Sequence, residues 1–154
     1  MTDLPDFEQS LMTALRAAVE FRDDAPANPA FPASNAAELR TRFDIPLEEN
    51  GRAGPAVISD LIHAAEGGLA GNTQPNFYAW VQGSSHPTGV AADLLTSAWG
   101  QNAGLYQTAP AAAIAEEVAS KWLLDLLHLP ATASVAFTTG ATMANFIGLA
   151  VARS

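Results

Sequence analysis

The chain of 154 residues contains no cysteine and only one lysine, Lys121. Without cysteine it can form no disulfide, no zinc–thiolate site and no cysteine nucleophile. Basic residues are scarce, since seven Lys and Arg stand against sixteen Asp and Glu, giving a formal net charge of −9. This charge repels nucleic-acid phosphates and anionic membrane surfaces, and no arginine cluster with interleaved aromatics offsets it. The sequence therefore predicts neither a nucleic-acid partner nor a membrane partner.

Long hydrophobic runs are also missing, although 49% of the residues are hydrophobic. Gly, Asp or Lys interrupts each apolar stretch well before membrane-spanning length. The acidic start, MTDLPDFEQSL, is typical of neither a signal peptide nor a transit peptide. The three histidines share no metal-ligand spacing, so we expect no metal site. The expectation is a globular cytoplasmic protein.

Apolar spacing predicts helices separated by Pro- and Gly-rich segments. The predicted order is a helix up to about Arg22, an extended connector over 23–39, and a short helix over 57–65. A helix over about 89–99, a helix over 114–127 with Pro110 near its first turn, a buried strand at 134–137 and a helix over 142–152 follow. The only lysine, Lys121, lies four residues after Glu117, which favours an exposed helical ion pair over a catalytic role.

The strand, tight loop and helix around residues 134–152 are the strongest chemical signal. Small residues at 139–142 allow a ligand to approach the backbone, and the first N–H groups of a helix are unpaired. Together with the helix dipole they form a site suited to a phosphate. The alternative is structural, with Thr142 capping the helix and Gly140 making the turn.

The segment between Gly71 and Pro87, here called the aromatic loop, gathers Phe77, Tyr78 and Trp80 among Gly, Asn, Pro and Ser. Such a loop is typical of a ligand-facing surface, and an aromatic core plug would have the same composition. His86 lies in the same segment, where it is a candidate for contact with a substrate.

The run FTTGATMANFIGLAVAR resembles the strand, phosphate loop and helix of the group II pyridoxal-phosphate (PLP) decarboxylases, whose usual form is F-T-S-G-G-T-x-A-N-L. Upstream segments agree in order and spacing. Residues 74–78 (QPNFY) resemble the family's His-Pro-Arg-Phe-Phe, and residues 126–130 (LLHLP) resemble its Leu-Leu-Gly-Leu-Pro. Residues 109–111 with Glu116 resemble its Ser-Pro-Ala…Glu segment. The family is that of aromatic-L-amino-acid and glutamate decarboxylases.

The resemblance implies an α/β chain of the PLP-dependent transferase-like fold, fold type I. It implies a helical, dimer-wrapping arm over 1–83 and the start of the large PLP-binding domain over 84–154. The cofactor-binding residues would be Thr139, Gly140, Ala141, Thr142 and Asn145, and the substrate-facing residues Phe77, Tyr78, Trp80 and His86. The Schiff-base lysine lies downstream in the family, so no catalytic residue is expected in this chain.

The implied function is PLP-dependent decarboxylation of an L-amino acid, with an aromatic amino acid favoured. The expected partners are the remainder of a longer polypeptide, a second subunit in a homodimer and a small amino-acid substrate. Two alternatives stay open. One is a different fold-type-I reaction, such as oxidative deamination or carbon–carbon lyase chemistry. The other is a non-catalytic dimerisation fragment that pairs through the 7–22 helix.

Overall fold

A computed structural model describes residues 4–25, 27 and 29–153, and this part of the chain contains helices and no strand. The helices are α1 (Leu4–Asp23), α2 (Ala36–Phe43), α3 (Gly54–Ala65), α4 (Pro87–Trp99), α5 (Pro110–Leu126) and α6 (Ala141–Arg153). The chain divides into two compact units, Met1–Val90 and Ala91–Ser154. The first turn of α4 belongs to the first unit and the remainder of α4 to the second. The predicted domain boundary between residues 83 and 84 stays a prediction.

Helix α3 is the centre of the first unit, because both α1 and α2 pack against it. At the start of α3 the backbone N–H of Gly54 donates to the carboxylate of Asp6 in α1, at 3.0 Å. A side-chain carbon at Gly54 would lie 2.7 Å from that carboxylate and still closer to Ser10. The absence of a side chain at residue 54 therefore permits the close approach of α1.

The C-terminal end of α3 is fixed by Arg42 of α2. Its guanidinium donates to the carbonyl oxygen of Glu66 and to the hydroxyl of Ser34, both at 2.6 Å. A cation that binds the last carbonyls of a helix also lies favourably in the helix dipole. Both ends of α3 are thus held by side chains from neighbouring helices.

Helix α2 was not predicted, because its residues fell partly within the segment 23–39 interpreted as an extended connector. Asn35 caps α2 by accepting from the N–H groups of Ala37 and Glu38, and the Glu38 carboxylate accepts from the Asn35 N–H. This reciprocal pair is a capping box, whose Asn-x-x-Glu pattern is visible in the sequence. The first residue of the predicted connector, Asp23, ends α1, and residues 24–34 are non-helical where they are described; Pro26 and Asn28 lie outside the described residues.

In the second unit no two of α4, α5 and α6 pack against each other over the residues described. Their apolar side chains are accordingly exposed. Trp122 is 71% exposed and Leu126 73%, and the exposed set also includes Leu94, Leu95, Trp99, Ile114, Phe146 and Leu149. The buried apolar residues described in this unit are Ala109 and Leu124. Local interactions, more than a shared core, define its helices.

The end of α5 shows such a local interaction. The N–H of Leu129 donates to the carbonyl of Leu124 at 2.8 Å, and that of His128 to the carbonyl of Asp125 at 3.0 Å. This is the Schellman arrangement, which places the residue after the C-cap in the left-handed region. His128 takes that conformation with φ of 53°. Glycine avoids the steric cost of this conformation, which accounts for the glycine in the family's Leu-Leu-Gly-Leu-Pro run.

The strand predicted at 134–137 is not formed among the described residues, where 134–138 have neither helix nor strand. No backbone hydrogen bond joins residues 134–138 to any described residue. A strand requires a neighbouring strand to accept and donate its backbone hydrogen bonds, and the sequence pattern alone supplies no such neighbour. The β part of the predicted α/β architecture is therefore unconfirmed in this chain.

Candidate functional site

The loop before α6 presents a row of unused backbone donors. The N–H groups of residues 139–142 make no hydrogen bond to any described residue, whereas those of Met143 and Ala144 both donate to the carbonyl of Gly140. All four donor residues are exposed, and a carbon added at Gly140 would meet nothing within 4 Å. The backbone of this loop is therefore accessible to an anion, as the sequence predicted.

Three other helices begin differently, because a side chain fills the acceptor role at their first turn. Asn35 accepts at α2, Asp6 at α3, and the Nδ1 atom of His86 at α4. Helix α5 has no such cap, and Pro110 removes one of its donors. The hydroxyl of Thr142 makes no hydrogen bond to the described residues, so it does not cap α6. The structural alternative, in which Thr142 serves only as a cap, is not what the structure shows.

Three hydroxyl groups and one amide lie close to these donors in the sequence, those of Thr138, Thr139, Thr142 and Asn145. The Thr138 hydroxyl donates to the Gly140 carbonyl at 3.2 Å. This carbonyl, which also accepts from Met143 and Ala144, is therefore not a free acceptor. The side chains of Thr139 and Asn145 are exposed, with Asn145 one turn into α6. Their assignment to the cofactor stays a prediction. No charged side chain is needed here, since backbone N–H groups and the helix dipole suffice for a phosphate.

The aromatic loop lies in the first unit and contributes two of the three rings of an aromatic cluster. The Trp80 ring lies edge-on to Phe77, with centroids 6.1 Å apart, and edge-on to Phe31, with centroids 5.4 Å apart. Trp80 remains 63% exposed despite these contacts, so it is not a core plug. Tyr78 is 87% exposed and stands outside the cluster. The composition of the loop did not reveal Phe31, because this residue lies in the proline-rich connector.

The backbone of the aromatic loop is strained next to this cluster. Trp80 and Val81 both have positive φ, 57° and 55°. For a residue with a side chain this conformation costs on the order of 1–2 kcal/mol. For a β-branched residue such as Val81 the conformation is rare. Edge-to-face ring pairs each contribute about 0.5–1.5 kcal/mol, so the contacts of Trp80 can offset the strain. Strained backbone of this kind is common at ligand-binding loops.

His86 has a structural contact in this geometry. Its Nδ1 atom accepts the N–H of Thr88 at 3.2 Å, and its carbonyl accepts the N–H of Val90 at 3.1 Å. His86 is therefore the N-cap of α4. The preceding loop is held by Arg22 of α1, which donates to the Ser84 hydroxyl at 3.1 Å and to the Ser85 carbonyl. Contact of His86 with a substrate remains a prediction.

The ion pairs among the described residues are exposed. Lys121 donates to Glu117 at 2.5 Å, as the i, i+4 spacing predicted, and this bond with the adjacent charge lowers the pKa of the Glu117 carboxyl. A shallow groove beside α3 contains the exposed ion pair of Arg52 with Asp60 and the exposed hydrogen bond between His63 and Glu66. Among the described residues no three metal-ligating side chains cluster, and no helix has the length and hydropathy needed to cross a membrane.

The 138–142 segment lies inside the part of the chain that matches a known family. Residues 37–154 match the family described as "Pyridoxal-dependent decarboxylase conserved domain". A curated relative, the aromatic-L-amino-acid decarboxylase of Bacillus atrophaeus, is 30% identical over 122 residues. That alignment covers 75% of this chain and 24% of the relative, so the chain spans about a quarter of the relative's length. No solved structure gave a significant match. The chain belongs to the pyridoxal-dependent decarboxylase family, whose cofactor is pyridoxal 5′-phosphate.

Proposed function

We propose that this chain supplies the N-terminal part of a PLP-dependent amino-acid decarboxylase and that residues 139–142 bind the cofactor phosphate. The observation that carries the proposal is the row of four unused N–H donors at the start of α6, within the segment that matches the family. Charge-assisted hydrogen bonds from such donors are among the stronger ones in proteins. Side chains of Thr139, Thr142 and Asn145 add polar groups around the same position.

PLP, when bound, supplies a ring that accepts the electron pair left behind as the substrate's α-carboxylate departs as carbon dioxide. This chain contributes binding and orientation to that reaction. Its phosphate loop fixes one end of the cofactor. The rings of Phe77, Tyr78 and Trp80 form an apolar surface for the side chain of the substrate, so that the bond to the carboxylate can be held in one orientation.

An aromatic amino acid is the substrate class that we favour. Aromatic side chains pair well with an exposed indole and phenyl ring, and the aromatic loop contains no Lys or Arg that would recognise an acidic substrate. The name of the Bacillus atrophaeus relative is consistent with this choice. An acidic or diamino substrate, oxidative deamination and carbon–carbon lyase chemistry are the alternatives within enzymes.

The partners are a longer polypeptide and a second subunit. Exposed apolar residues on α5 and α6, including Trp122, Phe146 and Leu149, support a large covering surface. A second candidate function, pairing without catalysis, is favoured by α1, which packs on α3 and still exposes Leu15 and Val19. The cytoplasmic location stays a prediction.

The decisive experiment uses the full-length gene product with added PLP. We expect a visible absorbance band from protein-bound PLP and release of carbon dioxide from L-phenylalanine, L-tyrosine or L-tryptophan, faster than from L-glutamate or L-ornithine. The 154-residue chain alone is expected to release none. Bound PLP with an aldehyde product and no carbon dioxide would select oxidative deamination. Dimerisation with neither PLP binding nor turnover would select the pairing function.

The phosphate loop has its own test, Ala141→Pro in the full-length protein. Proline at the first position of a helix keeps the helical backbone and removes one N–H group. Losing a hydrogen bond to a charged group, worth about 1.5–3 kcal/mol, should weaken PLP affinity on the order of tenfold to a hundredfold. Ala36→Pro, the same change at the first position of α2, is the matched control and should leave PLP affinity unchanged. Equal affinity in both variants would remove residues 139–142 from the cofactor site.

A further inference from the structure

The connector after α1 reaches the aromatic loop through Phe31. The Phe31 ring stands almost perpendicular to Trp80, at 77°, with centroids 5.4 Å apart, which is closer than the contact of Trp80 with Phe77. Phe31 is 56% exposed, so its contact with Trp80 is not a by-product of burial in a core. Residues 31 and 80 are thus joined across nearly fifty positions of sequence.

A backbone contact fixes the same two segments independently. The N–H of Gly71, at the start of the aromatic loop, donates to the carbonyl of Ala30 at 3.3 Å. A side-chain carbon at Gly71 would lie 2.7 Å from the carbonyl oxygen of Pro29. Gly71 is buried, and the carbonyl that faces it is rigid backbone. The connector therefore lies so close to the loop that a side chain at residue 71 would not fit without backbone movement. Phe31 follows directly after this contact.

The backbone at Trp80 is in an unfavourable conformation, in a turn that the Gln82 N–H closes on the Ala79 carbonyl at 3.3 Å. Within this turn, the ring contacts of Trp80 help to hold its side chain in one position. Trp80 and Val81 both have positive φ, and Val81 is fully exposed, so the Val81 side chain gains no packing in return. If one of the two ring contacts of Trp80 were lost, the backbone of Trp80 and Val81 could relax to negative φ. Such a change redirects the side chain of Trp80, since the direction of a side chain follows its backbone.

We propose that Phe31 is a positioning residue: it holds the indole of Trp80 in one orientation and thereby sets the size of the substrate side chain that the loop accepts. The second half of this statement rests on the proposed function, in which Trp80 faces the substrate. Phe31 itself need not contact the substrate. Its removal should affect the discrimination between aromatic and smaller amino acids more than the rate of the chemical step.

The orientation of Trp80 can be measured without activity. In full-length protein labelled with 5-fluorotryptophan, the ¹⁹F resonance of Trp80 is identified by its loss in Trp80→Phe. We expect Phe31→Ala to shift or broaden this resonance, and Phe31→Leu, which keeps bulk but no ring, to do so as well. Phe43→Ala is the matched control, because Phe43 is similarly exposed at 48% and has no ring partner among the described residues. A Trp80 resonance unchanged in Phe31→Ala would overturn the proposal.

The effect on specificity is measured by steady-state kinetics on the same variants. For an aromatic substrate we expect Phe31→Ala to raise KM on the order of tenfold with kcat within about twofold, because uniform binding is lost while the chemistry is untouched. The preference over L-alanine or L-valine should fall by a similar factor, with PLP content unchanged. A fall in kcat alone, or equal losses for all substrates, would overturn the specificity role. An enzyme without decarboxylase activity would defeat the proposed function and the specificity role, whereas the ¹⁹F result would still decide the positioning role.

Discussion

The two units of this chain are built from similar helices but are stabilised in different ways. In the first unit, α3 is held at one end by Asp6 and at the other by Arg42, and Arg22 fixes the loop before α4. In the second unit, α5 ends in a local Schellman arrangement, α5 and α6 expose apolar faces, and no helix packs on another over the described residues. Amphipathic helices are marginal in water until their apolar faces are covered. The helices of the first unit therefore pack on one another, whereas the helices of the second unit still have exposed apolar surface.

The largest expected consequence is a difference in local stability, measurable by amide hydrogen exchange on the 154-residue chain. Amides in the middle of α3 should exchange at least about 100-fold more slowly than those in the middle of α6, a difference of about 2.7 kcal/mol in opening free energy. The reason is that α3 contacts two helices and α6 contacts none of the described ones. Equal protection of the amides in α3 and α6 would contradict this difference in packing between the two units.

A single type of substitution should act with opposite sign in the two units. Gly71→Ala places a methyl group against the carbonyl of Pro29 and should destabilise the chain by about 1–3 kcal/mol, through forced backbone movement. Gly148→Ala, inside α6 with nothing within 4 Å, should instead stabilise it by up to about 1 kcal/mol through helix propensity. Urea unfolding measures both.

Gly51→Ala is the control for this pair, because residue 51 lies outside the helices and also has open space around it. It should change the free energy of unfolding by less than about 0.5 kcal/mol. Destabilisation by Gly148→Ala would show that the face of α6 is covered in solution, and tolerance of Gly71→Ala would show that the connector is not anchored there.

The third effect is smaller and concerns the end of α5. His128 has φ of 53°, so His128→Gly should raise stability by about 1 kcal/mol by removing the side-chain clash of the left-handed region. His128→Ala retains a Cβ and should give little or no gain. Thermal unfolding followed by helical circular dichroism distinguishes the two variants. Equal stabilisation by Ala and Gly would mean that the imidazole, not the backbone conformation, was unfavourable.

The smallest effect is that of the exposed pair on α5. Lys121 lowers the pKa of Glu117 by its hydrogen bond and then by its charge. Because the folded pKa is depressed, the contribution of the pair is present above the unfolded pKa of Glu117 and is lost as pH falls through the folded value. In an NMR titration, Lys121→Met should raise the pKa of Glu117 toward its ordinary value, and high salt should do so in part. A Glu117 titration curve unaffected by Lys121→Met would show that Lys121 does not lower the pKa of Glu117.

Much of the helical pattern was predictable because the signals are local. The apolar spacing before Arg22 predicted α1, and Pro110 with the apolar residues after it predicted α5 almost to its bounds. Helix α3 begins at Gly54, three residues before its predicted start, because Pro55 fits the first turn of a helix. The Asn35 capping box would have revealed α2, but the surrounding prolines dominated the interpretation. The loop before α6 was also predictable, because small residues at 139–142 leave the backbone accessible.

From the sequence alone came the family, every described helix except α2, and the expectation that small residues leave the backbone at 139–142 accessible. Each of these depends on neighbouring residues along the chain. Only the tertiary structure decided which distant segments meet. It brought Phe31 to Trp80 and Ala30 to Gly71, and it assigned His86 to the cap of α4. It also left 134–138 unpaired where a strand was predicted. The physical reason is the same in each case: a helix closes its hydrogen bonds within its own segment, whereas a strand, a ring pair or a close backbone contact needs a partner from elsewhere.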